Sequence, residues 1–489
     1  MNNFKKNTLV FFSLLNCFLG VSQEGLMPMK WSIQQCIEQA WKSNITVKQT
    51  EISKVNSNYD LEFNLASYHP NLNLSYSNGY NWGRSIDPTT YQFVTGGVNT
   101  NNLTLSSSMT LFDGFATPNR IKQSKVGVKL AEGEMQQQKN SIAISIASLY
   151  LQVLLAHERE AVVSNQLTIS RELLKISSKN VELGIKPELD LLQIKSQIVK
   201  EKADSVAANN TLRIAKLTLM QLIELPYSLS FEIERFDPKS IGTYTVVSKT
   251  EEVYDSALAV VPEIQNANLM IHYKELDLKV KKGGYYPILS LNGRVVSNYA
   301  SSSKKITRQE IAVEKPIGYL YNDPSQTVVG NQISVVPIAE KYPFRNQLSD
   351  NLNSSLSLVL SIPIYSKKQN KVNTGKAFMS IDQAKLDLQN RKNILRKDIE
   401  MAHLDYVLLN NQLISGEEKL KAYLVSYAKF QKQFDLNISS SYELLLEKNK
   451  VTATENEIIQ LQYQLLFKNI ILKYYQSGEI ELPKINNQK

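Results

Sequence analysis

Two pairs of segments in this chain alternate strictly between apolar and polar residues. Such alternation predicts β-strands with one apolar and one polar face. The polar positions are nearly all Asn, Ser and Thr, as where Asn71, Asn73 and Ser75 flank Leu72 and Leu74. We predict strands at residues 71–83, 102–112, 288–299 and 355–365, with a turn-rich loop at residues 84–100.

Apolar residues at helical spacing follow each predicted strand pair. Ile142 and Ile146 show this spacing in a segment rich in Ala, Leu, Gln, Glu and Lys,. A helix over residues 119–183 would be roughly 100 Å long at ~1.5 Å per residue, so it has to pack along other long helices. A shorter helix, capped by Ser32 and running to about Ser67, precedes the first strand pair,. We predict long helices within residues 119–225 and 367–477.

The order helix, strand pair, long helix occurs twice, which indicates an internal tandem duplication. The phrase LGIKPELDLL, starting at Leu183, returns as LNISSSYELL, starting at Leu436, 253 residues later. Earlier matching positions, such as Pro70 and Pro287, are 217 residues apart. The difference of 36 residues requires an insertion in the second copy, within residues 301–350. We predict a first repeat at residues 23–245 and a second repeat at residues 246–489.

The N-terminus has the features of a secretory signal peptide. Two lysines precede an apolar run from Leu9 to Leu19, and small residues follow it, so we predict a signal peptide at residues 1–22,. Asn16 before Cys17 is a poor match to a lipoprotein cleavage box, and lipidation of Cys17 stays an open alternative,. Cys36 is then the one cysteine of the mature chain, which excludes an internal disulfide, and burial is its simplest role.

Charge and reactive residues argue against nucleic-acid binding and catalysis. The net charge of +9 could suggest nucleic acid, but export and the dispersion of basic residues along the helices oppose it,. The four histidines are scattered, and the sequence lacks metal-binding, phosphate-loop and nucleophile motifs,. We predict no enzyme activity, no catalytic residue, no metal site, no cofactor and no nucleic-acid partner.

The predicted strands have two interpretations. A soluble sheet with one buried face produces the same alternation. Strands of nearly ten residues with aromatic residues toward their loop ends fit a membrane barrel instead. Unpaired strand edges are costly in a membrane, so four strands per chain would require several chains: two give eight strands, and three give twelve with room for an aqueous lumen. The predicted aromatic girdle is Tyr76, Tyr80, Trp82 and Tyr299.

The mature chain resembles the TolC-like outer-membrane efflux protein family over its whole length. The resemblance is carried by the duplicated order of elements, the opening WSIQQCIEQAWKSN, the strand ends LTLSSSMTLFDG and LSLVLSIPIYSK, and the phrases LGIKPELDLL and LNISSSYELL. It implies a mainly α protein with a membrane β-barrel: a homotrimer with four strands per chain in a twelve-stranded barrel, and a long α-helical tunnel in the periplasm. The implied partners are the lipid outer membrane, a periplasmic membrane-fusion adaptor and an inner-membrane pump of the RND or ABC type.

The resemblance assigns the two repeated phrases to periplasmic tips, where adaptor hairpins dock and the channel closes. In relatives, acidic residues at the positions of Asp190 and Glu443 constrict the entrance and bind cations, and a threefold ring of carboxylates would favour cations. The second interpretation is helix capping: Ser440 and Glu443 fit a capping box, and Asp190 closely follows Pro187 in a first turn. The implied tip residues are Leu183, Gly184, Ile185, Lys186, Leu436, Asn437, Ile438 and Ser439.

The implied function is passive conduction of small toxic compounds or secreted protein through a duct that is powered elsewhere. The alternative is a periplasmic coiled-coil scaffold or adaptor with a soluble β-subdomain, which explains the helices but not two separate strand pairs. The insertion at residues 301–350 is expected at the outer side of the barrel, where it either narrows the exit or forms a variable surface loop,.

Overall fold

The computed structural model describes residues 30–86, 91–236, 249–436, 438–478 and 480. The predicted signal peptide, Cys17 and Asn437 lie outside the described residues. The chain divides into two compact units. The first unit contains the described residues within 30–55, 130–268 and 386–480, and the second contains those within 56–129 and 269–385.

Helices dominate the described residues. The helices are α1 (Ile33–Ser43), α2 (Ile45–Ala66), α3 (Ala116–Glu182), α4 (Glu188–Leu222), α5 (Thr250–Val260), α6 (Pro262–Gly283), α7 (Phe344–Asp350), α8 (Gln369–Asp435) and α9 (Ser441–Ser477). The strands are β1 (Asn71–Ile86), β2 (Phe93–Asp113), β3 (Ile288–Ala300), β4 (Lys304–Leu320), β5 (Asp323–Lys341) and β6 (Asn353–Ser361). Helices α3 and α8 are each 67 residues long, and each turns into a shorter helix, α4 or α9.

The helix predicted to run from Ser32 to about Ser67 is broken at Asn44. Ser32 forms the expected capping box with Gln35 at the start of α1. Asn44 has an extended backbone (φ −61°, ψ 130°), and its side-chain oxygen accepts hydrogen bonds from the backbone N–H and the hydroxyl of Thr46. Asn44 thus ends α1 and satisfies a free donor at the start of α2, as Asn does at helix N-termini.

The core of the first unit forms where α1 packs on α3, α4 and α9. Tyr150 is fully buried there, and its hydroxyl donates to the carbonyl oxygens of Glu234 at 2.6 Å and Trp31 at 3.0 Å. Cys36 is buried and free, as predicted, and burial raises the pKa of its thiol to about 12,. Among the described helices, α3 alone has the length and apolar composition to cross a membrane, and more than half of that apolar window is buried inside the protein. Core packing accounts for its hydrophobicity.

The second unit contains a four-stranded antiparallel sheet in the order β1-β2-β3-β6. Two predicted bounds are wrong. Residues 84–86 and 93–100 pair as strand, so β1 and β2 extend through most of the predicted loop; Gly83 and Gly96 face each other there with positive φ angles. Strand β6 ends at Ser361 and not at residue 365, because Pro363 cannot donate to a strand ladder,.

The insertion is not a surface loop. Strands β4 and β5 pair with each other along their length and form a separate two-stranded sheet, which we call the ribbon (residues 304–341). Helix α7 follows the ribbon and leads back to β6. The many polar residues and prolines of this segment suggested a loop, but Ile, Val and Thr residues, which favour strands, are spread along both strands of the ladder,.

Candidate functional site

The strand register collects the apolar side chains of the sheet on one face. Directly paired residues share a face, as Leu74 with Leu105 and Leu291 with Leu358 do,. Leu74 is nevertheless 70% exposed and Leu358 is 63% exposed. The exposed apolar residues of this face include Leu72, Leu74, Tyr76, Tyr80, Trp82, Leu103, Leu105, Leu356, Leu358 and Leu360. The opposite face is lined mainly by Asn, Ser and Thr, so an apolar surface and a polar surface lie back to back.

The four predicted girdle residues lie on the apolar face; Tyr80, Trp82 and Tyr299 are toward the strand ends remote from the helices, whereas Tyr76 is nearer the helix-connected start of β1. Tyr76, Tyr80 and Trp82 alternate along β1, and the rings of Tyr80 and Trp82 are 4.7 Å apart. Tyr299 pairs with Asn101 of β2 and is on the same face. Its ring packs on Phe344 of α7 at 5.0 Å, so it is partly covered within the chain.

The sheet has two open edges. Strand β1 pairs with β2, and β6 pairs with β3, so β1 and β6 are the edge strands of the described sheet. The sheet therefore does not close within one chain. Unpaired N–H and C=O groups along an edge each cost several kcal/mol in hydrocarbon, so such a sheet is stable in a membrane only when other strands complete it.

The two tips, residues 183–187 and 436–440, have the same backbone hydrogen bonds. At the first tip, the N–H of Ile185 donates to Asn180 O at 2.9 Å and the N–H of Lys186 donates to the same oxygen at 3.3 Å. At the second tip, the N–H groups of Ile438 and Ser439 donate to Gln433 O at 2.8 and 3.4 Å. Gly184 has φ +70°, and its N–H donates to Val181 O at 2.9 Å, which completes a Schellman motif,.

Two side chains, Lys186 of the first tip and Asp190 in the first turn of α4, bind to the second tip and the start of α9. Lys186 is only 8% exposed, and its ammonium donates to Ser439 O at 2.6 Å and lies 4.4 Å from the centre of the Phe434 ring. Asp190 is 7% exposed, and its carboxylate accepts from the backbone N–H of Ser441 at 3.4 Å. Ser441 is the first residue of α9, so the Asp190 carboxylate satisfies a free donor at the positive end of that helix.

Glu443 has a local role and an exposed position. The predicted capping box is confirmed: Ser440 N–H donates to the Glu443 carboxylate at 2.9 Å, and Glu443 N–H donates to Ser440 Oγ at 3.3 Å. The structure therefore does not place the two predicted aperture acids in equivalent surroundings. Asp190 lies in the contact between the tips, whereas Glu443 lies at the surface.

The tips also present a group of exposed apolar side chains. Tip residues at helix ends are normally polar, because they face water. Here the loop residues Leu183, Ile185, Leu436 and Ile438 are at least half exposed. The neighbouring first turns of α4 and α9 add further exposed apolar residues, Leu189, Leu192 and Tyr442. Exposed apolar residues grouped in this way are typical of protein-interaction surfaces.

A buried lysine near the tips was missed in the sequence. Lys448 is buried between α9 and α3, and its ammonium donates to Gln166 O at 2.8 Å and to Ser170 Oγ at 3.0 Å. Burial lowers the pKa of Lys448, and the charge of Glu201 acts in the opposite direction,. Lys448 follows Leu444 and Leu445 at helical spacing. A charged residue within an apolar stripe of a helix was therefore the sequence feature that could have predicted its burial.

The described residues show no group of three or more His, Cys, Asp and Glu side chains that could hold a metal ion. The candidate functional sites are therefore two surfaces. One is the two-faced sheet with open edges, and the other is the group of exposed apolar residues at the tips.

Comparison with known proteins gives these surfaces a context. Residues 36–224 match the family model described as outer membrane efflux protein. No curated protein sequence matches the chain significantly. Among solved structures, VceC, the outer membrane protein of Vibrio cholerae, is similar with a TM-score of 0.70 at 11% identity, over 92% of this chain and 97% of that chain.

Two further solved structures share the fold. The CmeC outer membrane channel of Campylobacter jejuni has a TM-score of 0.67 at 16% identity, over 92% of this chain and 86% of that chain. CusC, whose structures describe transmembrane channel formation, has a TM-score of 0.71 at 14% identity, over 91% of this chain and 92% of that chain. The fold of this chain is that of the outer-membrane efflux channels. The family match covers residues 36–224, and the likeness to the solved channels shows that this chain shares their fold.

Proposed function

We propose that this chain is the subunit of a homotrimeric outer-membrane channel in a tripartite efflux or type I secretion system. Three chains contribute four strands each to a twelve-stranded barrel, and their helices form the periplasmic tunnel. Substrates enter from a periplasmic adaptor and an inner-membrane pump, and the channel conducts them passively to the exterior. A second repeat that arose by duplication of the first accounts for the matching hydrogen bonds of the two tips.

The exposed apolar face of the sheet is the observation that carries the proposal. A sheet in water buries its apolar face, because each buried Å² of apolar surface contributes about 25 cal/mol. Leucines on this face, such as Leu74 and Leu358, are instead mostly exposed within the chain. Lipid tails are the environment in which this face is stable, and the Asn, Ser and Thr face then lines a water-filled lumen.

The open edges explain why several copies are needed. Strand β1 of one chain and β6 of the next can pair and satisfy both edges, and a heterologous contact of this kind closes into a ring under rotational symmetry,. Eight strands from two chains would give a barrel filled by side chains, whereas twelve strands leave a lumen. Conduction therefore favours three chains.

The tips are the proposed adaptor-docking site and entrance. The patch formed by Leu183, Ile185, Leu436 and Ile438 is available to an adaptor hairpin. At the entrance, the exposed Glu443 is the better candidate for a threefold ring of carboxylates that attracts cations. Asp190 contributes to the closed form by holding the first turn of α9 and would join such a ring only after the tips separate.

The exposed apolar face and the open edges of the sheet also argue against the scaffold alternative. A soluble coiled-coil adaptor would leave the apolar face of the sheet and both sheet edges in water. The two proposals differ in measurable ways, because a trimeric barrel resists detergent until it is heated whereas a soluble scaffold does not form one.

The test is to express the chain with its own N-terminus, separate the membranes, and compare gel mobility before and after heating. We expect outer-membrane recovery, a trimer band that heating converts to monomer, and conductance in planar bilayers. A soluble monomer without conductance would refute the proposal. For the docking patch, Ile438→Glu should keep the trimer and its conductance but lose export in a deletion strain, and Ile438→Leu should restore export.

A further inference from the structure

The ribbon at residues 304–341 is a long structure that the first half of the chain lacks. Strands β4 and β5 pair from Lys304 with Lys341 at the base to Leu320 with Asp323 at the end. At about 3.3 Å per residue, its 17-residue strand β4 is roughly 55 Å long,. The ribbon is thus about twice as long as the ~25 Å apolar band of a membrane barrel.

The base of the ribbon is firmly attached to the end of the sheet that is remote from the helix-connected strand ends. Gln347 of α7 is fully buried, and its side-chain amide bonds both the N–H and the carbonyl of Ala300, at 3.0 and 3.1 Å. Ser297 Oγ donates to Leu348 O at 2.7 Å, and Ser301 N–H donates to Asn99 O at 2.9 Å. These bonds fix the position from which the ribbon leaves the sheet.

The rest of the ribbon is exposed on both faces. Within the described part of the chain, no other helix or strand packs along it. Ile306 and Ile333 are exposed on one face, and Ile311 is exposed on the other. The connection at its end carries Tyr321, which is 99% exposed, beside the exposed Tyr319 and Leu320. An isolated two-stranded hairpin is at best marginally stable in water, so a ribbon of this length needs a partner.

The outer strand edges are poorly suited to pairing with a foreign strand. Pro316 in β4 and Pro337 in β5 lack an N–H, and prolines on edge strands oppose strand addition,. The faces and the end of the ribbon are therefore the surfaces available for association. The charges of the two strands are complementary: β4 carries four basic and two acidic residues, and β5 carries one basic and two acidic residues.

A second copy of the ribbon can act as this partner, because it can bind through the faces and the end and has complementary charges. In the proposed twelve-stranded barrel, with strands about 4.8 Å apart and tilted by about 40°, three ribbon bases lie on a rim roughly 24 Å across. Each ribbon is longer than this diameter, so all three can reach the barrel axis. Because the ribbons are attached to one rim, their effective concentration for each other is high. A partner that is free in solution would have a lower effective concentration.

We infer that the ribbons of the three subunits pack against one another, through their faces and their apolar ends, and narrow the outer exit of the channel. This inference rests on the proposed trimeric channel. In this arrangement the oppositely charged strands β5 and β4 of neighbouring subunits contact each other through their faces, and the end residues Tyr319, Leu320 and Tyr321 meet near the axis.

Disulfide cross-linking tests the inference directly. Cys36 is buried, so Tyr321→Cys introduces the one accessible thiol among the described residues. On oxidation of the assembled protein in its membrane, we expect disulfide-linked dimers that disappear on reduction. The matched control is Tyr91→Cys, an exposed tyrosine between β1 and β2 at the same end of the sheet, which should give little dimer.

A second measurement uses the channel itself. Replacing residues 304–341 by a short Gly-Ser linker should leave the heat-sensitive trimer intact and raise single-channel conductance. If Tyr321→Cys forms no more dimer than Tyr91→Cys in a trimer that conducts, or if deletion leaves conductance unchanged, the ribbons do not meet and the inference is wrong. Absence of a trimer and of conductance in the unmodified protein would instead refute the proposed function.

Discussion

Replacing Lys186 by Met should loosen the contact between the two tips and favour the open channel. Methionine keeps the apolar stem of lysine but removes the ammonium that donates to Ser439 O at 2.6 Å and lies beside the Phe434 ring. A hydrogen bond from a charged donor contributes about 1.5–3 kcal/mol, and a cation–π contact contributes about 0.5–2 kcal/mol. Burial of a charge opposes both terms. A net loss of about 2 kcal/mol is therefore expected.

The Lys186 contact contributes more free energy than the surface ion pairs of the helices because it is buried. Lys186 is 8% exposed, whereas Lys54 and Glu132, 3.2 Å apart, have side chains 33% and 49% exposed. Water and salt weaken the exposed pair to about 0–1 kcal/mol, but they screen the buried contact much less. A loss of about 2 kcal/mol corresponds to a roughly 30-fold shift in the equilibrium between closed and open tips.

Single-channel recording in planar bilayers measures this shift as open probability and conductance. We expect Lys186→Met to remain open far longer than the unmodified channel at the same voltage. Lys195→Met is the matched control, because it removes the same charge from an exposed position on α4 and should leave gating unchanged. Unchanged gating in Lys186→Met, or equal changes in both variants, would refute the view that this contact holds the tips together.

Three further predictions follow from the sheet and from α9. Leu358→Arg places a charge on the apolar face that we propose contacts lipid, at a cost of about 2–4 kcal/mol per chain, so gels of the membrane fraction should show loss of trimer. Ser440→Ala removes the cap of α9 and should lower the free energy of unfolding by about 1 kcal/mol, measured by denaturant titration,. The pKa of Lys448 is lower in the folded chain than its ordinary value of 10.5. Between these two pKa values the unfolded chain binds more protons than the folded chain, so the free energy of unfolding should rise with pH in this range. Lys448→Met should flatten this rise in melting temperature.

Each of these predictions has a clear contrary result. Ser357→Arg places the same charge on the polar face and should be tolerated; equal loss of trimer in both variants would contradict the assignment of the faces. An unchanged free energy of unfolding in Ser440→Ala would show that the capping box is not stabilising. A pH dependence that persists in Lys448→Met would have to come from other groups.

The architecture was predictable because its signals are local and repeated. Alternation in β1 and β6 and helical spacing in α3 need no knowledge of distant residues. The caps at Ser32 and Ser440 were predictable for the same reason, since both partners of a capping box lie within one turn. The bounds of β1 and β2 were less predictable, because backbone pairing carries a ladder through Gly83 and Gly96, which resemble a turn in sequence.

The ribbon shows a different limit of sequence patterns. Its two faces are both mixtures of charged and apolar residues, so the segment lacks the one-sided alternation that identified the sheet. A strand with this composition is stable only through its partner, and the turn before β5, at Tyr321 and Asn322, lacks the Asn-Gly or Asp-Gly pair that most strongly marks a hairpin in sequence,. The pattern of apolar and polar residues therefore could not predict which distant residues pair, such as Lys304 with Lys341.

The tips show how matching backbones can carry unequal side-chain functions. Equivalent N–H groups bind Asn180 O at the first tip and Gln433 O at the second, so the turns themselves are alike. Lys186 of the first tip and Asp190 at the start of α4 reach across to the second tip, whereas Glu443, the position equivalent to Asp190 in the second copy, hydrogen-bonds to Ser440 at the start of its own helix. The contact between the tips is therefore one-directional within each subunit. Because the bond from Lys186 ends on the backbone carbonyl of Ser439, substitution of the Ser439 side chain should disturb closure far less than substitution of Lys186.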